Sequence, residues 1–365
     1  MTPTTPLPAS QLPTMMRAWR SHRYGDPTEV LQIDEVPLPE PGPGEVLVEV
    51  AAIPFNLNDL ERVTGGNMAV RIDLPYGPGM ETFGVVVTSG PGAEALLGRR
   101  VAATTRQAHG GFAEYVVASA GSAFEVPESV PLPGAACLFF PFHLAWLGLF
   151  DRAELQSGET VLIHAAAGGS GSAAIQLAKH AGATVFATVG SDEKKQLCSD
   201  FGADVVVNYN TEDFAAVVMA ATDQRGVDVV FDNVGEAVLD ASMNCIAYNG
   251  RYLMMGFASD KTVADEKLVV PRRLGMGNFK LCGVLLAYQP DAMVPLVKGA
   301  IGANFAPTSL GARIQAQLVD LVLAGSIRPV IGSVVAFEDV PAALAAMAKR
   351  ETVGRIVAMF DPPRG

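Results

Sequence analysis

The sequence predicts an α/β fold in which a doubly wound parallel sheet follows a β-rich first third. Residues 16–118 break into short strand patterns separated by Pro and Gly, such as EVLVEVAAI after PEPGPG at 39–44. From about residue 134, apolar runs such as TVLIHAA and DVVFDNVG alternate with amphipathic helices. This alternation is typical of parallel strands covered by helices on both faces. A length of 365 residues agrees with two domains.

The order of the segments predicts where the domains begin and end. Residues 1–15 contain four prolines and no charge, and we expect a disordered leader without the features of a signal peptide. A second domain is predicted to begin at residue 138, within an apolar helix pattern interrupted by Pro141, and to end at residue 286. Helices and the strands VIGSVVAF and GRIVAMF follow. We expect no apolar stretch to reach the roughly 18 residues that a membrane span needs.

Charge and cysteine usage exclude some classes of function. The net charge of −12 disfavours a nucleic acid or an anionic membrane as a partner. The four cysteines lie far apart and form no C-x-x-C pair, which argues against a metal knuckle or a disulfide framework. Free cysteines are typical of a reducing compartment, so we expect a cytoplasmic protein.

A glycine-rich turn joins the first apolar strand of the second domain to a helix. In AAAGGSG, small residues follow the pattern A-x-G-x-x-G at Ala166, Gly168 and Gly171, with Gly169 and Ser170 between. A dinucleotide site needs small residues there because the backbone approaches a pyrophosphate and the helix packs on the sheet. Helix N–H groups then face the phosphates. The strand–turn–helix context favours a dinucleotide site over a tight turn without a ligand.

The end of the next strand predicts which dinucleotide binds. An NAD site usually has an acid there to bind the ribose 2′-OH. The strand ends instead at Thr188 and Gly190, which we predict as cofactor contacts. Asp192 and Glu193 follow at a position that is also typical of a helix start. Lys194 is able to neutralise a 2′-phosphate, so NADPH is favoured over NADH; the alternative for Lys194 is a solvated helix lysine.

Several motifs in this order resemble the medium-chain dehydrogenase/reductase superfamily, in its zinc-free quinone oxidoreductase (zeta-crystallin-like) branch. They are YGDPTEVLQIDEVPLPEPGPGEVLVEV, GGFAEYV, LQSGETVLIHAAAGGSGSAAIQLAKHAGA, FGADVVVNY and VGRIV. The resemblance implies a GroES-like β-barrel domain at 16–137, completed by 287–365, with a Rossmann domain at 138–286. It also implies an NADPH-dependent reductase of a small quinone or α,β-unsaturated carbonyl, which acts as a homodimer.

The resemblance also implies that no catalytic metal is bound. Zinc members of the superfamily carry a catalytic Cys and a His in a G-H-E motif. Asn56 stands at the Cys position and Met80 at the His position, while Glu81 remains. One carboxylate does not make a tetrahedral zinc site.

Further site residues come from the resemblance. Asn56 is similar to the family's active-site amide donor, and the alternative is a turn amide. Tyr209 is similar to the tyrosine beside the 2′-phosphate or adenine, and Lys194 to the phosphate lysine. Arg350 is similar to a C-terminal phosphate-binding arginine, unless it is a surface cation. The remaining predicted cofactor contacts are Asn233 and Gly256.

The sequence departs from the family at two positions near the expected chemistry. Some relatives carry a tyrosine where Asn67 and Met68 stand, and Tyr76 is a candidate substitute unless it is a packed loop aromatic. A family threonine is replaced by Leu144, and His143 before it is a candidate proton donor or a core histidine. The final proton in such enzymes also comes from water in some cases.

Two other functions stay open. Loss of the usual tyrosine and threonine is compatible with a dinucleotide-binding protein that has little catalysis. An enoyl-thioester reductase needs basic residues at the mouth of its cleft, and Arg272 and Arg273 are candidates, although a surface loop explains them equally. The strand pattern FKLCGVLL resembles the edge by which family members dimerise.

Overall fold

The computed structural model describes residues 12–66, 72–255, 269, 271–349 and 352–360. The first helices and strands are β1 (Met15–Ser21), α1 (Pro27–Val30), β2 (Leu31–Pro37), β3 (Glu45–Pro54), α2 (Leu57–Thr64), β4 (Glu81–Ser89), β5 (Arg100–Thr105) and β6 (Tyr115–Glu125). The middle of the chain contains α3 (Phe140–Trp146), β7 (Thr160–Ile163), α4 (Gly169–His180), β8 (Thr184–Val189), α5 (Glu193–Asp200), β9 (Val205–Asn208), α6 (Phe214–Ala221), β10 (Val227–Asp232), α7 (Glu236–Asn244), β11 (Ile246–Met254), α8 (Pro271–Gly277) and β12 (Lys280–Gly283). The last are β13 (Tyr288–Gln289), α9 (Val294–Ile301), β14 (Ala306–Pro307), α10 (Thr308–Leu323), β15 (Ile331–Ala336), α11 (Val340–Ala348) and β16 (Arg355–Met359).

The chain divides into two compact units. The first comprises the described residues of Met1–Phe139, Ala287–Leu323 and Ile331–Gly365, and the second those of Phe140–Leu286 and Ala324–Val330. The sequence placed the first boundary two residues earlier and assigned 324–330 to the first domain. Residues 1–11 of the predicted leader lie outside the described residues. Residues 12–15 are part of the folded chain: Leu12 packs against a core cluster, the Thr14 carbonyl accepts from Leu38 N at 3.0 Å, and Met15 begins β1, so the predicted leader extended four residues too far.

The first unit is built on an antiparallel barrel. Strand β3 pairs with both β4 and β6, and β5 joins β4 to β6, so these four strands close on themselves. Strand β16 then pairs antiparallel with β3, and β15 runs parallel to β16. Val46, Val48 and Val50 of β3 are buried in the barrel core, and Leu47 packs in a second cluster with residues of β1. The GroES-like barrel, completed by the C-terminal strands, is confirmed.

The second unit is a doubly wound parallel sheet. The strand order is β12-β11-β10-β7-β8-β9, and every pair is parallel. The central strand β7 is buried from Val161 to Ile163, because helices cover both faces of such a sheet. Strand β7 connects on to β8, whereas β10 lies on its other side, so the order reverses between β7 and β10. Ligands of open α/β sheets bind at the carboxyl ends of the strands at this reversal.

One apolar run is long enough to span a membrane. It covers Gly134–Arg152, which is 19 residues, so the expectation that no stretch reaches this length was wrong. In the structure, 72% of its most apolar window is buried within the protein. The core helix of a folded domain passes the same test of length and composition, and α3 lies within this run.

Candidate functional site

The predicted dinucleotide turn connects β7 to α4. Gly168 is the N-cap residue of α4, with φ −80° and ψ 177°, and the helix begins at Gly169. Gly168 is exposed, and Gly169 and Ser170 are half-buried. The first N–H groups of a helix have no partner within the helix, and they carry the positive end of its dipole. The turn therefore presents main-chain donors to an anion, as a pyrophosphate site requires.

The two glycines of the motif are small for different reasons. A Cβ atom at Gly171 would collide with the carbonyl oxygen of Ala165 and lie 2.6 Å from Ala166 Cα. Gly171 therefore allows the helix to pack closely on the strand end. Among the described residues, a Cβ atom at Gly168 would meet only the Ala165 oxygen, at 3.3 Å. The space beside Gly168 is thus open to a ligand, and the residues present fit a dinucleotide pyrophosphate.

Ala165 adopts a left-handed conformation in this turn, with φ 51°. This conformation is unfavourable for residues with a Cβ atom, and such strain persists only where the surrounding structure holds it, as at many functional sites. The Ala165 carbonyl also accepts a hydrogen bond from Gly168 N at 3.0 Å. The turn is therefore held by its own backbone.

The ends of β8 and β9 bring together two predicted cofactor contacts. A Cβ atom at Gly190 would lie 2.6 Å from the hydroxyl of Tyr209, so only glycine allows the tyrosine to lie against this backbone. Asn210 Nδ2 donates to the Gly190 carbonyl at 2.7 Å and fixes the loop that carries Tyr209. Tyr209 remains 43% exposed. An accessible aromatic ring thus stands beside the end of β8.

The acids after β8 belong to the start of α5. Asp192 precedes the helix and accepts a hydrogen bond from Asn208 Nδ2 at 3.0 Å. This bond, with a smaller effect of Lys195, lowers the pKa of Asp192. Lys194 is the second residue of the helix and is half-buried. The structure therefore gives Asp192 a local structural partner and leaves the predicted phosphate contact of Lys194 as a prediction.

The side chain of Thr188 is engaged within the protein, and the predicted contact of this residue with the cofactor stays a prediction. Thr188 is buried, and its hydroxyl lies 2.9 Å from His164 Nδ1. Ser242 donates its hydroxyl hydrogen to the carbonyl of Val238, so it accepts from His164 Nε2 at 2.8 Å. His164 Nδ1 then accepts from Thr188. Burial lowers the pKa of His164 to about 3, so the imidazole is neutral and ties β7 to β8 and α7.

Asn233 follows β10 in a turn held by a buried carboxylate. Asp232 accepts hydrogen bonds from the N–H groups of Val234 at 2.7 Å and Gly235 at 2.8 Å. Its other oxygen accepts from the Tyr252 hydroxyl at 2.7 Å. Burial raises the pKa of Asp232 despite these bonds. The turn at the carboxyl end of β10 is therefore fixed, with Asn233 half-buried within it. Gly256 and Arg350 lie outside the described residues.

Asn56 lies in a buried polar network of the first unit. Its Oδ1 accepts from Arg355 Nη1 at 3.1 Å, and its Nδ2 donates to Glu81 Oε2 at 3.2 Å. Arg355 Nη2 and Glu81 Oε2 form an ion pair at 2.6 Å. Exposure is 6% for Asn56 and Arg355 and 0% for Glu81. Asn56 is thus more than a turn amide, and its predicted contact with substrate stays a prediction.

Asp59 connects this network to the start of β4. Its carboxylate accepts from the backbone N–H groups of Asn56 at 2.9 Å, Gly79 at 3.2 Å and Met80 at 2.9 Å. Complete burial nevertheless raises the pKa of Asp59 to about 6. The carboxyl group fixes the backbone on either side of the Asn56 side chain.

The positions of the zinc ligands in related enzymes hold other contacts here. Met80 Sδ accepts from Asn58 Nδ2 at 3.6 Å, and the Asn56 carboxamide is bound to Arg355 and Glu81. Among the described residues, no cluster of three or more His, Cys, Asp or Glu side chains is placed to hold a metal ion.

His143 and Tyr76 are both buried. His143 lies on α3 with 0% exposure, and Tyr76 is 3% exposed within the core of the first unit. The Tyr76 hydroxyl has no hydrogen-bonding partner in the described part of the chain. Burial raises its pKa further above the ordinary value. The structure therefore favours the alternative interpretation of Tyr76 as a packed aromatic over a proton donor.

Comparison with known proteins identifies the family. Residues 42–128 match the model of the alcohol dehydrogenase GroES-like domain, and residues 169–298 match that of the zinc-binding dehydrogenase. Quinone oxidoreductase of Rattus norvegicus is 31% identical over 245 residues, which cover 66% of this chain and 73% of the relative. The chain belongs to the zinc-free quinone oxidoreductase family of medium-chain dehydrogenases/reductases.

Other members and relatives differ widely in length. The structure of mycobacterial Rv1454c in complex with NADPH has a TM-score of 0.78 and 29% identity, covering 94% of this chain and 99% of the other. Highly reducing polyketide synthase apmlA of Arthrinium phaeospermum is 32% identical over 87% of this chain, which spans 12% of the synthase. A mycocerosic acid synthase-like polyketide synthase of Mycolicibacterium smegmatis is 35% identical over 66% of this chain, and the match spans 11% of that synthase.

The sequence analysis did not predict that Arg355 belongs to the polar network around Asn56. The residue lies in VGRIV, a stretch that we used only for the resemblance. A charged residue at the start of an apolar strand was the available signal, because a buried charge needs a partner. His164 and Asp232 carry a similar signal, since each is a polar residue at the end of a buried strand.

Proposed function

We propose that this chain is an NADPH-dependent, zinc-independent reductase of quinones or of C=C bonds conjugated to a carbonyl. The observation that carries the proposal is the turn at Ala165–Gly171, which is open to a ligand at Gly168 and leads into the N-terminus of α4. The similarity to the NADPH complex of Rv1454c and to rat quinone oxidoreductase supports the cofactor and the reaction class.

The residues of this chain have separate tasks in such a reaction. NADPH supplies hydride chemistry when bound, here the reduction of a quinone or of the β-carbon of an enone. Negative charge then develops on the carbonyl oxygen, and a hydrogen-bond donor stabilises it. We propose Asn56 Nδ2 as that donor, because among the described residues its second N–H has only the Pro54 carbonyl as an acceptor, at a long 3.5 Å. We propose water as the proton source, since His143 and Tyr76 are both buried.

A panel of substrates tests the proposal. Purified protein is mixed with NADPH or NADH and with a simple quinone, a conjugated enone or an enoyl-thioester, and loss of the reduced nicotinamide is followed by absorbance. We expect turnover of the quinone or the enone with NADPH. Absence of turnover across the panel, despite NADPH binding in calorimetry, would instead favour a dinucleotide-binding protein with little catalysis.

Enoyl-thioester reduction is the second candidate, because the chain is similar to segments of two polyketide synthases. Arg273 does not support it, since its guanidinium donates to Asp240 Oδ1 at 2.9 Å and to Asn244 Oδ1 at 2.8 Å. The enoyl-thioester in the panel decides between the two substrate classes. Faster turnover of the thioester than of the free enone would favour the second candidate.

Cofactor preference is tested at Lys194. Lys194→Ala should weaken NADPH binding by about tenfold or more, because a charge-assisted contact with the 2′-phosphate is lost, and should leave NADH binding unchanged. Lys195→Ala is the matched control, since Lys195 lies on the same helix and pairs with Glu212. Equal losses for the two cofactors in Lys194→Ala would contradict the assignment.

We also propose a cytoplasmic homodimer. Strand β12 pairs only with β11 among the described strands, and Leu281 and Leu285 are exposed at this edge of the sheet. Cell fractionation tests the location, and light scattering tests the mass. We expect a dimer that Leu285→Asp weakens, and a monomer for the unchanged protein would refute the assembly.

A further inference from the structure

The Asn56 carboxamide is held between one group that only donates and one that accepts. Arg355 Nη1 donates to Oδ1 at 3.1 Å, and a guanidinium has no acceptor atom. Glu81 Oε2 accepts from Nδ2 at 3.2 Å. A flipped amide would place its NH2 group against the guanidinium and its oxygen against the carboxylate. The two partners therefore allow one orientation of the amide.

This orientation decides what Asn56 offers to a substrate. With Oδ1 occupied by Arg355, the Nδ2 hydrogen that is not bound to Glu81 has, within the part of the chain that the structure describes, only the Pro54 carbonyl as an acceptor, at 3.5 Å. A flipped amide would present an oxygen, which repels a developing oxyanion. We infer that Arg355, paired with Glu81, is a positioning residue that holds Asn56 as a hydrogen-bond donor to the substrate carbonyl; this rests on the proposed function.

Burial makes the arrangement rigid. Both charged partners are almost completely enclosed, and their ion pair of 2.6 Å fixes each side chain. Breaking one partner leaves the other charge buried and unpaired, so single variants are expected to lose stability as well as activity. Replacing both with neutral side chains removes the charges together, and such exchanges often leave stability unchanged.

The decisive variant is therefore Glu81→Gln with Arg355→Met. Gln both donates and accepts, so it no longer selects one orientation of the Asn56 amide. We expect kcat to fall by about 10- to 100-fold, because the donor is no longer preorganised, with little change in the KM for NADPH. Arg355→Lys retains a cationic donor and should keep most of the wild-type kcat. If the double variant does not fold, a comparison of kcat between Arg355→Lys and Arg355→Met still tests whether Arg355 positions Asn56.

A matched control separates positioning from general damage. Arg251 and Glu159 form another poorly exposed ion pair, joined by two bonds of 2.8 and 2.6 Å. They lie in the second unit, at the amino ends of its parallel strands, with Glu159 just before β7. Glu159→Gln with Arg251→Met should alter stability without lowering kcat at a temperature where the protein is folded.

A spectroscopic readout tests the orientation without any turnover. In protein labelled with 15N-asparagine, the Asn56 side-chain amide signal is assigned by its loss in Asn56→Asp. We expect slow hydrogen exchange in the wild type and fast exchange in the Glu81→Gln, Arg355→Met variant. Unchanged exchange, or an unchanged kcat in the folded double variant, would overturn the inference. A wild-type protein that reduces none of the substrates refutes the proposed function, while the exchange rate still shows whether Glu81 and Arg355 hold the Asn56 amide.

Discussion

A valine at Gly168 separates binding of the cofactor from stability of the fold. Any residue is able to adopt the backbone conformation there, with φ −80° and ψ 177°, and in the described structure an added Cβ atom would meet only the Ala165 oxygen, at 3.3 Å. Exchanging glycine for valine at an N-cap costs about 1 kcal/mol. The side chain then stands where a pyrophosphate must approach the helix N-terminus. We therefore expect Gly168→Val to fold and to lose NADPH affinity.

The size of the loss follows from the contacts that the side chain blocks. A hydrogen bond from a backbone N–H to a charged group contributes about 1.5–3 kcal/mol. Loss of two such bonds raises the Kd for NADPH by about 100- to 10,000-fold. Gly171→Ala should instead lower stability more than it weakens NADPH binding, because its Cβ atom collides with the backbone of Ala165 and Ala166. We expect it to lower the free energy of unfolding by about 2–4 kcal/mol.

Urea unfolding and NADPH titration by calorimetry measure the two effects. Gly275→Val is a suitable control, since Gly275 lies exposed on α8 and an added side chain meets nothing within 4 Å. It should change neither quantity appreciably. An unchanged Kd in Gly168→Val would refute the assignment of this turn to the pyrophosphate.

Three further variants test buried polar groups. The raised pKa of Asp59, about 6 against 3.8 when unfolded, means that the folded state binds the proton more tightly, so this group lowers stability as pH rises from about 4 to about 6. Unfolding of Asp59→Asn across this range should therefore differ from wild type by a free energy that changes by up to about 3 kcal/mol, and parallel profiles would contradict the burial argument. Tyr76→Phe removes a buried hydroxyl that has no hydrogen-bonding partner among the described residues, so stability should rise by about 1 kcal/mol with unchanged turnover; a large fall in kcat would restore the tyrosine as a proton donor. Thr188→Val removes the donor to His164 Nδ1 and should destabilise the fold by about 1–3 kcal/mol, whereas a weakened NADPH affinity without such a loss would show that Thr188 contacts the cofactor.

The order of strands and helices was predictable because local patterns encode it. Continuous apolar runs such as β7 are buried on both faces, and small residues at 166–171 form the expected turn. The assignment of 324–330 to the second unit was not predictable in this way. Gln176 on α4 makes two hydrogen bonds with the backbone of Arg328. Its Nε2 donates to the Arg328 carbonyl oxygen at 3.0 Å, and its Oε1 accepts from the Arg328 N–H at 2.8 Å. A contact across 152 residues leaves no periodic signal.

The site was predictable in its backbone and less so in its side chains. The glycine motif requires a particular backbone path, and Gly190 beside Tyr209 shows the same dependence on a missing Cβ atom. The hydrogen bond of the Thr188 hydroxyl was not predictable, because a position at the end of a strand does not reveal whether a hydroxyl points to a ligand or to the core. In this case His164 supplies an internal acceptor, and only the paired strands bring the two residues together.

Glu81 has a structural role in this chain, in which Asn56 and Met80 stand at the positions of the zinc ligands. In zinc enzymes that the chain resembles, this glutamate follows a histidine ligand, yet here it is retained beside Met80. The structure gives it two tasks that need no metal, since it neutralises the buried Arg355 and accepts the hydrogen bond from Asn56. A cysteine at position 56 would leave Arg355 without its second acceptor. The amide, the carboxylate and the guanidinium therefore form one connected network, in which each group supplies a partner to the other two.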